Sequence, residues 1–421
     1  MTQEVLAPGI PGITQQNVDT VAAAGPEWLR EQRLAAWRAY ESMDLPDPGD
    51  EEWRRTDVRA LPLDGLRPSP PTVRIESPAA DLAAEGVIFA PLASALAEAP
   101  DLVRRHLLSV VRPEEWKYLA LNAALFDGGA FLYVPKGVEV DVPLQLVTGA
   151  PAGGNAALFP RTLVIAEAHS RVALIDETAS SNGEKNFVSG AVEIVLGDGA
   201  KLDYYDVNRW GDNVYNFKTV RAILGRDAQF TALAAGIGSK LTKMRIDTEM
   251  PQPGAQAQLL GVTFGNGEQH FDYNTLQNHV GDHTISDLQF KSALTDAASL
   301  VWYGITRINP TAGGSEANQT SRNMLLSDHA KAAPIPILEI EAYDVARCSH
   351  GATAGPVDED ELYYLQTRAI PRRVAEQMLV EGFFADVVER IPSEPLRRRV
   401  MDAIIEKAGG RAATLEEIEL G

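Results

Sequence analysis

Cysteine is nearly absent from this sequence, since Cys348 is the only one among 421 residues. A lone cysteine cannot form a disulfide within the chain, and it cannot supply a metal site made of thiolates alone. Any metal or cluster chemistry that uses this thiol must therefore be shared with another subunit.

Basic residues are also scarce, with 38 Lys and Arg against 58 Asp and Glu and a formal net charge of -20. They are dispersed along the chain, whereas nucleic-acid phosphates and anionic membranes attract a clustered basic surface. No apolar run approaches the roughly 20 residues of a membrane span. The N-terminus, MTQEVLAPGIPG, lacks the basic and apolar segments of a signal peptide. We therefore expect a cytoplasmic protein that binds neither nucleic acid nor membrane.

Several sequence motifs of enzymes are missing as well. The chain has no GxxxxGK[ST] phosphate loop, no GxSxG elbow, no HExxH zinc helix and no GxGxxG dinucleotide loop. Hydrolysis of a nucleotide by this chain is therefore not expected.

The first part of the chain, residues 1–115, is predicted to be a mainly helical domain. The segment Pro26 to Met43 places large apolar side chains at helical spacing with charges between them. A second amphipathic helical pattern runs from Ala90 to Val111. We interpret the aromatic residues of these patterns as packing residues rather than ligand-binding ones.

Residues 116–350 show a different pattern, in which short β-type runs are separated by turns that recur. The turns AHSRVAL, GDGAKLD, GRDAQFT, QPGAQAQ and GDHTISD align Ser170, Gly199, Asp227, Gly254 and His283, which gives steps of 29, 28, 27 and 29 residues. A period near 28 with two β-runs indicates a solenoid, because no single coil can bury its own apolar face. A parallel β-helix is the favoured fold. The alternative, an antiparallel sandwich, places turns about every 8 to 12 residues.

Residues 351–421 are predicted to be a helical domain that caps the solenoid. Asp358 is the expected N-cap of a first helix, Pro371 lies in the first turn of a second, and Ser393 starts a third. The predicted buried stripe of the second helix consists of Val374, Met378, Leu379, Phe383, Val387 and Ile391. That of the third consists of Leu396, Val400, Ile404 and Ile405.

Cys348 and His350 form the first candidate site. If the strand before them persists to His350, both side chains project from the same face. Thiolate and imidazole are ligands of iron-sulfur clusters and of zinc, but a pair cannot close a four-coordinate site. The pair is therefore either a half-site completed across an interface or a packed cysteine beside a turn histidine. The residues alone leave both interpretations open.

The segment HFDYNTLQNHVGDH contains a second candidate set. His270 and Asp272 alternate onto one strand face, and adjacent coils could bring His279 or His283 near them. Two histidines and a carboxylate suit a metal. Polar ladders along solenoids are common, so we favour that structural interpretation and assign these residues no functional role.

Parallel β-helices also host polysaccharide lyases and hydrolases, which supplies an enzymatic alternative. The pairs Asp203 with Asp206 and Asp176 with Glu177 could then act as acid and base. Fold alone does not establish a function, so this remains the alternative hypothesis.

Several stretches of the sequence resemble one known family. They are EEWRRTD (51–57), FLYVPKGVEVDVPLQL (131–146), HFDYNTLQNH (270–279), RNMLLSDHAKAAPIPILEI (322–340), DVARCSHGATAGPVDEDELYYLQTRAI (344–370) and EQMLVEGFFADVVERI (376–391). The sequence is identified by them as a member of the SufB/SufD scaffold proteins of the Suf iron-sulfur cluster assembly system. The resemblance covers most of the chain and is weakest in the first 50 residues.

Two departures from the family pattern favour the SufD type over the SufB type. In the run NQTSRNMLL, the resemblance places Arg322 about where SufB-type chains carry a cluster-building cysteine. Gly351 follows the histidine of the HGAT block, where SufB-type chains have glutamate.

The resemblance implies a mainly β fold, a right-handed parallel β-helix flanked by N-terminal and C-terminal α-helical domains. It implies a SufB-type scaffold chain paired through the β-helix and a SufC-type ABC ATPase docked on the C-terminal helices, with a possible homodimer when the chain is isolated. Phe383 or Phe384 is the expected ATPase contact if either faces the partner. His350 matches the SufD histidine at the interface where a transient iron-sulfur cluster, shared with the partner, forms. Cys348 is a lesser candidate ligand.

Overall fold

The computed structural model describes residues 9–76, 82–391 and 393–409. About 41% of the chain is strand and 24% is helix, and the strands wind into a β-solenoid of about 8 turns with helices at both ends. The predicted mainly β solenoid with flanking helical regions is therefore confirmed. The domain limits at 115/116 and 350/351 stay predictions, and the last strand continues to Pro356.

Helices lie on both sides of the solenoid in the sequence. They are α1 (Gln15–Ala23), α2 (Glu27–Ser42), α3 (Leu92–Glu98), α4 (Pro100–His106), α5 (Lys117–Leu125), α6 (Glu359–Thr367), α7 (Arg372–Val388) and α8 (Glu394–Lys407). The predicted helix from Pro26 is confirmed as α2. The pattern from Ala90 to Val111 is not one helix, because a strand takes its first residues and Pro100 begins a new helix at its first position. No helix in the described ranges has the length and apolar character to cross a membrane.

Twenty strands are described. They are β1 (Arg67–Pro68), β2 (Thr72–Glu76), β3 (Ile88–Pro91), β4 (Ala130–Val134), β5 (Leu144–Gly149), β6 (Ala156–Leu158), β7 (Arg161–Ala166), β8 (Arg171–Ala179), β9 (Asn186–Leu196), β10 (Lys201–Arg209), β11 (Val214–Leu224), β12 (Gln229–Gly236), β13 (Leu241–Met250), β14 (Gln256–Gly265), β15 (His270–His279), β16 (Ile285–Leu294), β17 (Ser299–Ile308), β18 (Glu316–Leu325), β19 (Lys331–Ile340) and β20 (Arg347–Pro356).

From β7 onward, consecutive strands alternate between two sheets. The first sheet has the order β3-β4-β7-β9-β11-β13-β15-β17-β19, and the second has the order β2-β5-β8-β10-β12-β14-β16-β18-β20. Neighbours from β7 and β8 onward pair in parallel, so each coil lies on the previous one in register. The antiparallel sandwich is therefore wrong.

A stack of residues in the left-handed conformation forms one corner of the solenoid, just before the strands of the second sheet. Its members are His169, Gly199, Asp227, Gly254, His283 and Gly314. The alignment of Ser170 was one residue off, because His169 holds the positive φ of 59°. Each member donates its backbone N–H to the next coil, as Gly199 does to the carbonyl of Arg226 at 2.7 Å. A side chain and a glycine alternate, because His169 occupies the space that a Cβ on Gly199 would need.

The inward faces of the two sheets form one apolar core along the solenoid, with Leu174, Leu259 and Trp302 fully buried in it. The outer faces carry the helices. The N-terminal helices cover the first sheet through an aromatic cluster in which the Tyr118 ring lies 5.0 Å from Phe187. The C-terminal helices cover the second sheet.

A buried ion pair joins the N-terminal region to the first sheet. Arg161 on β7 and Glu193 on β9 are 1% and 0% exposed, with Nη2 and Oε1 2.8 Å apart. The Glu193 carboxylate also accepts the backbone N–H groups of Leu108, Val110 and Val111 at 2.9 to 3.2 Å. Because this carboxylate is fully satisfied, the segment after α4 is held firmly on the sheet.

Helix α7 is fastened to β16 by polar contacts. Lys291 donates from Nζ to the Phe383 carbonyl at 2.6 Å and to Asp386 at 2.5 Å. The predicted caps Asp358 and Ser393 are confirmed, since each side chain accepts a backbone N–H of its own helix.

The predicted buried stripe of α7 was partly wrong. Val374 and Met378 are 42% and 45% exposed, whereas Phe384 is fully buried and Phe383 packs beside Lys291. The buried face of α7 also includes Ala375 and Val380, because α7 packs against β14 and β16 of the solenoid as well as against α6 and α8. Phe384 is therefore not available as an outward contact, whereas Phe383 is half-buried. The α8 stripe is confirmed for Leu396, Val400 and Ile404, whereas Ile405 is only half-buried.

Candidate functional site

The two ends of the solenoid differ in how their sheet edges are covered. At the N-terminal end, β3 pairs with β4 and β2 pairs with β5, both antiparallel. At the other end, β19 pairs only with β17 and β20 only with β18 among the described strands. An open strand edge presents backbone groups that pair readily with another chain.

Cys348 and His350 both lie on β20, at this open end. The strand continues beyond them, so they project from the same face, as the sequence predicted. In the register, Cys348 lies beside Ala317 and His350 beside Gln319, which are inward-facing residues of β18. Both side chains therefore occupy inward positions of the terminal coil, where no further coil covers them.

The two residues differ in exposure. His350 is exposed, whereas Cys348 is half-buried against Ile308, Ala312 and Ala317. Burial raises the pKa of the Cys348 thiol. The neutral thiol is a poor nucleophile and a poor ligand, because thiolate is the reactive form. The imidazole is the more accessible ligand of the pair.

The edges of β19 and β20 are not equivalent. In β19 the backbone N–H groups of Lys331 and Glu341 point to β17, so the backbone of the even-numbered residues faces the free edge. Two of these even-numbered residues are Pro334 and Pro336. Proline has no N–H, and it is a common protection of exposed edges. In β20 the backbone N–H of Val357 points to β18, so the backbone N–H groups of the even-numbered residues point to the free edge. These residues, from Cys348 to Ala354, all have an N–H to donate.

A corner loop beside this edge presents an aromatic ring. Tyr343 is fully exposed, and Ile340, the last residue of β19, is 45% exposed. A backbone hydrogen bond fixes this loop to the preceding coil, because the Asp344 carbonyl accepts the N–H of Gly314 at 2.9 Å. A large exposed ring on a fixed loop is typical of a protein interface.

Large apolar side chains are also exposed on the C-terminal helices. Tyr363 and Tyr364 on α6 are 70% and 58% exposed, and Val374 and Met378 on α7 add to them. We call these four residues the helical patch. Because α6 and α7 are neighbours, these exposed side chains are candidates for an interaction surface.

The second candidate set does not assemble. His270 and Asp272 face outward and share Thr56, whose hydroxyl lies 2.8 Å from His270 Nε2. His279 points into the interior, where Thr284 and Ser286 bind its two ring nitrogens at 2.8 Å each. His283 is a left-handed corner residue. The packing interpretation of these residues is the one that the geometry supports, and no group of three metal-ligating side chains comes together in the described ranges.

The carboxylate pairs of the enzymatic alternative do not form either. Asp176 and Asp206 face the interior and are 3% exposed each, whereas their intended partners Glu177 and Asp203 face the other side of the sheet. A polysaccharide cannot reach the interior carboxylates. The geometry therefore does not favour a glycan enzyme.

Comparison with protein families agrees with the fold. A family model described as "SUF system FeS cluster assembly, SufBD core domain" matches residues 148–383, and one described as "SufBD protein N-terminal region" matches residues 73–146. The chain belongs to the SufB/SufD family. It is 31% identical over 414 residues to the iron-sulfur cluster assembly protein SufD of Bacillus subtilis (strain 168), covering 91% of this chain and 94% of that relative.

Other relatives carry the SufB name or the family name. The chain is 31% identical over 315 residues to the iron-sulfur cluster assembly protein SufB of Bacillus subtilis (strain 168), covering 75% of this chain and 67% of that protein. It is 30% identical over 315 residues to an iron-sulfur cluster assembly SufBD family protein of Staphylococcus epidermidis (strain ATCC 12228 / FDA PCI 1200), with the same two coverages. A SufD-type member of the SufB/SufD family fits these matches.

Arg322, at the position where the resemblance places a cysteine in SufB-type chains, lies exposed on the outward face of β18. Sequence reasoning missed Gln319, Pro334, Pro336 and the helical patch. The two prolines, spaced by two within an apolar run, were a usable signal of an edge strand. The patch had no such signal, because its residues follow the same helical pattern as buried ones.

Proposed function

We propose that this chain is the SufD-type scaffold subunit of a Suf iron-sulfur cluster assembly complex, in which it builds and transfers nascent clusters and performs no catalysis alone. It pairs with a SufB-type chain through β20 and with a SufC-type ABC ATPase through the helical patch. The proposal keeps the cytoplasmic location expected from the sequence. The observation that carries it is the difference between the two edge strands at the open end of the solenoid. Prolines protect the free edge of β19, whereas the free edge of β20 offers backbone N–H donors beside His350.

Pairing through β20 has a simple physical basis. A strand of a second solenoid added to this edge would receive the free N–H groups from Cys348 to Ala354. Tyr343 would lie at the rim of such a junction, as a rigid aromatic contact. Cys348 and His350 would then sit between the two solenoid interiors.

The iron-sulfur cluster is cargo in this proposal and is not a resident cofactor. His350 offers an imidazole nitrogen to iron, and Cys348 is a second ligand once a cation or iron favours its thiolate. Two ligands leave a cluster incompletely held, so the SufB-type chain must supply the others. Shared ligation by two subunits makes the cluster easy to release.

Contacts between α7 and the second sheet provide a path from the helical patch to this site. Lys291 and Gln289 of β16 bind Asp386, and Asp287 of the same strand binds Arg390 at 3.2 Å. Strand β16 pairs with β18, which pairs with β20. An ATPase that moved α7 would therefore displace β16, which lies two strands away from β20, the strand that carries His350.

Affinity purification of the tagged chain at native expression level under anaerobic conditions, followed by mass spectrometry, tests the proposal. We expect a SufB-type chain and an ABC-type ATPase in stoichiometric amounts. Recovery of the chain alone, or only with itself as the homodimer that remains an expectation for the isolated chain, would contradict the proposal.

A further inference from the structure

Two carboxylates lie side by side inside the solenoid, far from the open end in sequence. Asp176 on β8 and Asp206 on β10 are direct neighbours in the parallel register. Both face the interior, and each is 3% exposed. They play no part in the proposed scaffold function, and the interior that encloses them excludes an external substrate.

One lysine and one tyrosine bind both carboxylates through the same oxygen of each. Lys218 on β11 donates from Nζ to Asp176 Oδ2 at 2.8 Å and also to Asp206 Oδ2. The Tyr204 hydroxyl lies 2.7 Å from Asp176 Oδ2 and 3.3 Å from Asp206 Oδ2. Because one ammonium and one hydroxyl reach both Oδ2 atoms, these two oxygens are held close together. The hydroxyl has one hydrogen, so it can donate to only one of them at a time.

The charges of this cluster do not balance if both acids are ionised. Lys218 is the one cation in hydrogen-bond contact with the pair among the described residues. The phenols that face the pair are Tyr204 and Tyr273, and burial raises the pKa of each, so neither supplies charge. A net negative charge would then remain in the interior, where an unpaired ion is strongly unfavourable because it has lost its hydration. Burial also raises the pKa of the Asp206 carboxyl.

An unpartnered hydroxyl marks the polar side of this cluster. Thr178, two residues beyond Asp176 on the same strand face, is 7% exposed, and its Oγ1 has no hydrogen-bond partner in the described part of the chain. Thr178, Asp176 and Lys218 line one small cavity, whose other polar walls include Thr162 and Asn216. The cavity therefore has polar side chains on the side of Asp176.

We propose that Asp176 and Asp206 share one bound proton at neutral pH, so that the solenoid interior contains a carboxylic acid–carboxylate pair neutralised by Lys218. The proton lies between the two Oδ2 atoms, where a short hydrogen bond replaces the repulsion of two anions. The unfolded chain would release this proton above about pH 4. The site is therefore a buried proton-binding site that makes the solenoid less stable as the pH rises.

Infrared spectroscopy of the full chain labelled with 13C-aspartate tests the proposal directly. At pH 7 we expect the carbonyl band of a protonated carboxylic acid, shifted by the label and absent from Asp206→Asn. Asp272→Asn is the matched control, because Asp272 is buried and Lys243 binds it at 2.8 Å without a second carboxylate. The control should keep the band.

Absence of a labelled acid band at pH 7 in the unmutated chain would overturn the proposal, and this result does not depend on whether any variant folds. Calorimetric unfolding in two buffers of different ionisation enthalpy gives a second measurement. The unmutated chain should release one proton more than Asp206→Asn at pH 7. Equal proton release by the two proteins would overturn the shared proton. A free energy of unfolding that rises with potassium concentration at fixed ionic strength would also overturn it, because it would show that a bound cation and not a proton neutralises the pair.

Discussion

His350 lies beside Gln319 in the register of β20 and β18, and it is the exposed end of an inward-facing row that is otherwise buried. The row changes in character toward the open end, from Leu259 and Leu288 to Gln319 and His350. Gln319 donates from Nε2 to the Ile337 carbonyl at 3.0 Å and so closes the coil beneath His350. The last coil is thus finished with polar groups, which suits a polar junction better than another apolar coil.

His350→Ala should lower the iron and acid-labile sulfide bound by the reconstituted complex while leaving subunit assembly intact. Removal of a residue that only hydrogen-bonds a metal ligand typically lowers metal affinity by about 10–100-fold, so removal of the ligand itself should lower it at least as much. Iron and sulfide assays on the anaerobically reconstituted complex measure this. His329→Ala is the control, because His329 is exposed in the turn before β19. Unchanged iron in His350→Ala would exclude the ligand role.

Ala352→Pro should weaken pairing with the SufB-type chain. Ala352 directs its N–H to the free edge of β20, so proline removes a donor without removing a bond to β18. One net hydrogen bond contributes about 1 kcal/mol, which corresponds to roughly fivefold in affinity. Titration of the purified subunits by calorimetry measures the change. Pro336→Ala, which adds an N–H to the other edge, should pair as the unmutated chain does; equal weakening by both changes would contradict the assignment of β20.

His279 should make the solenoid sensitive to acid. Burial lowers the pKa of this imidazole to about 4, from an ordinary value of 6.5. The folded chain therefore binds this proton less readily than the unfolded chain, and stability is lost as the pH falls from about 6.5 to about 4. At 1.36 kcal/mol per unit, the loss is about 3 kcal/mol. Urea unfolding of the unmutated chain and of His279→Gln at pH 7 and pH 4.5 measures it. An equal drop in both proteins would exclude His279 as the cause.

The repeat was predictable from the sequence because each coil repeats the same turn chemistry. Gly199 and Gly254 occupy left-handed positions that few residues accept, and this keeps their spacing visible. The one-residue error at Ser170 arose because the true corner residue, His169, belongs to a less obvious class of left-handed residues. Local chemistry thus identified the coil and missed one of its corners.

The common face of Cys348 and His350 was also predictable, because alternation along a strand is local. The exposure of His350 was not, since it depends on where the stack of coils ends. The separation of His279 from His270 depends on parity along β15, which sequence could have used. The pairing of Asp176 with Asp206 required the register between coils, which no single segment contains.

Glu193→Ala should destabilise the chain strongly. The change leaves Arg161 as an unpaired buried cation and removes the acceptor of three backbone N–H groups, and breaking a buried pair typically costs about 3–5 kcal/mol. Urea unfolding measures the loss. Glu268→Gln, which breaks the exposed pair with Lys240, should cost less than about 1 kcal/mol. Similar losses in the two variants would contradict the role of Glu193 in holding the N-terminal region.

Met378→Asp should prevent recovery of the ATPase subunit while the SufB-type chain still co-purifies. Met378 is 45% exposed in the helical patch, so a charge there can stay hydrated in the isolated chain but has to be desolvated in a partner interface. Quantitative mass spectrometry of the two partners gives the ratio. Arg398→Glu on α8 is the control, since Arg398 is exposed outside the patch and only pairs with Glu394 at 3.0 Å. Loss of both partners with Met378→Asp would indicate misfolding, which circular dichroism checks. Full recovery of the ATPase would place its contact elsewhere and leave the α7–β16 path without an input.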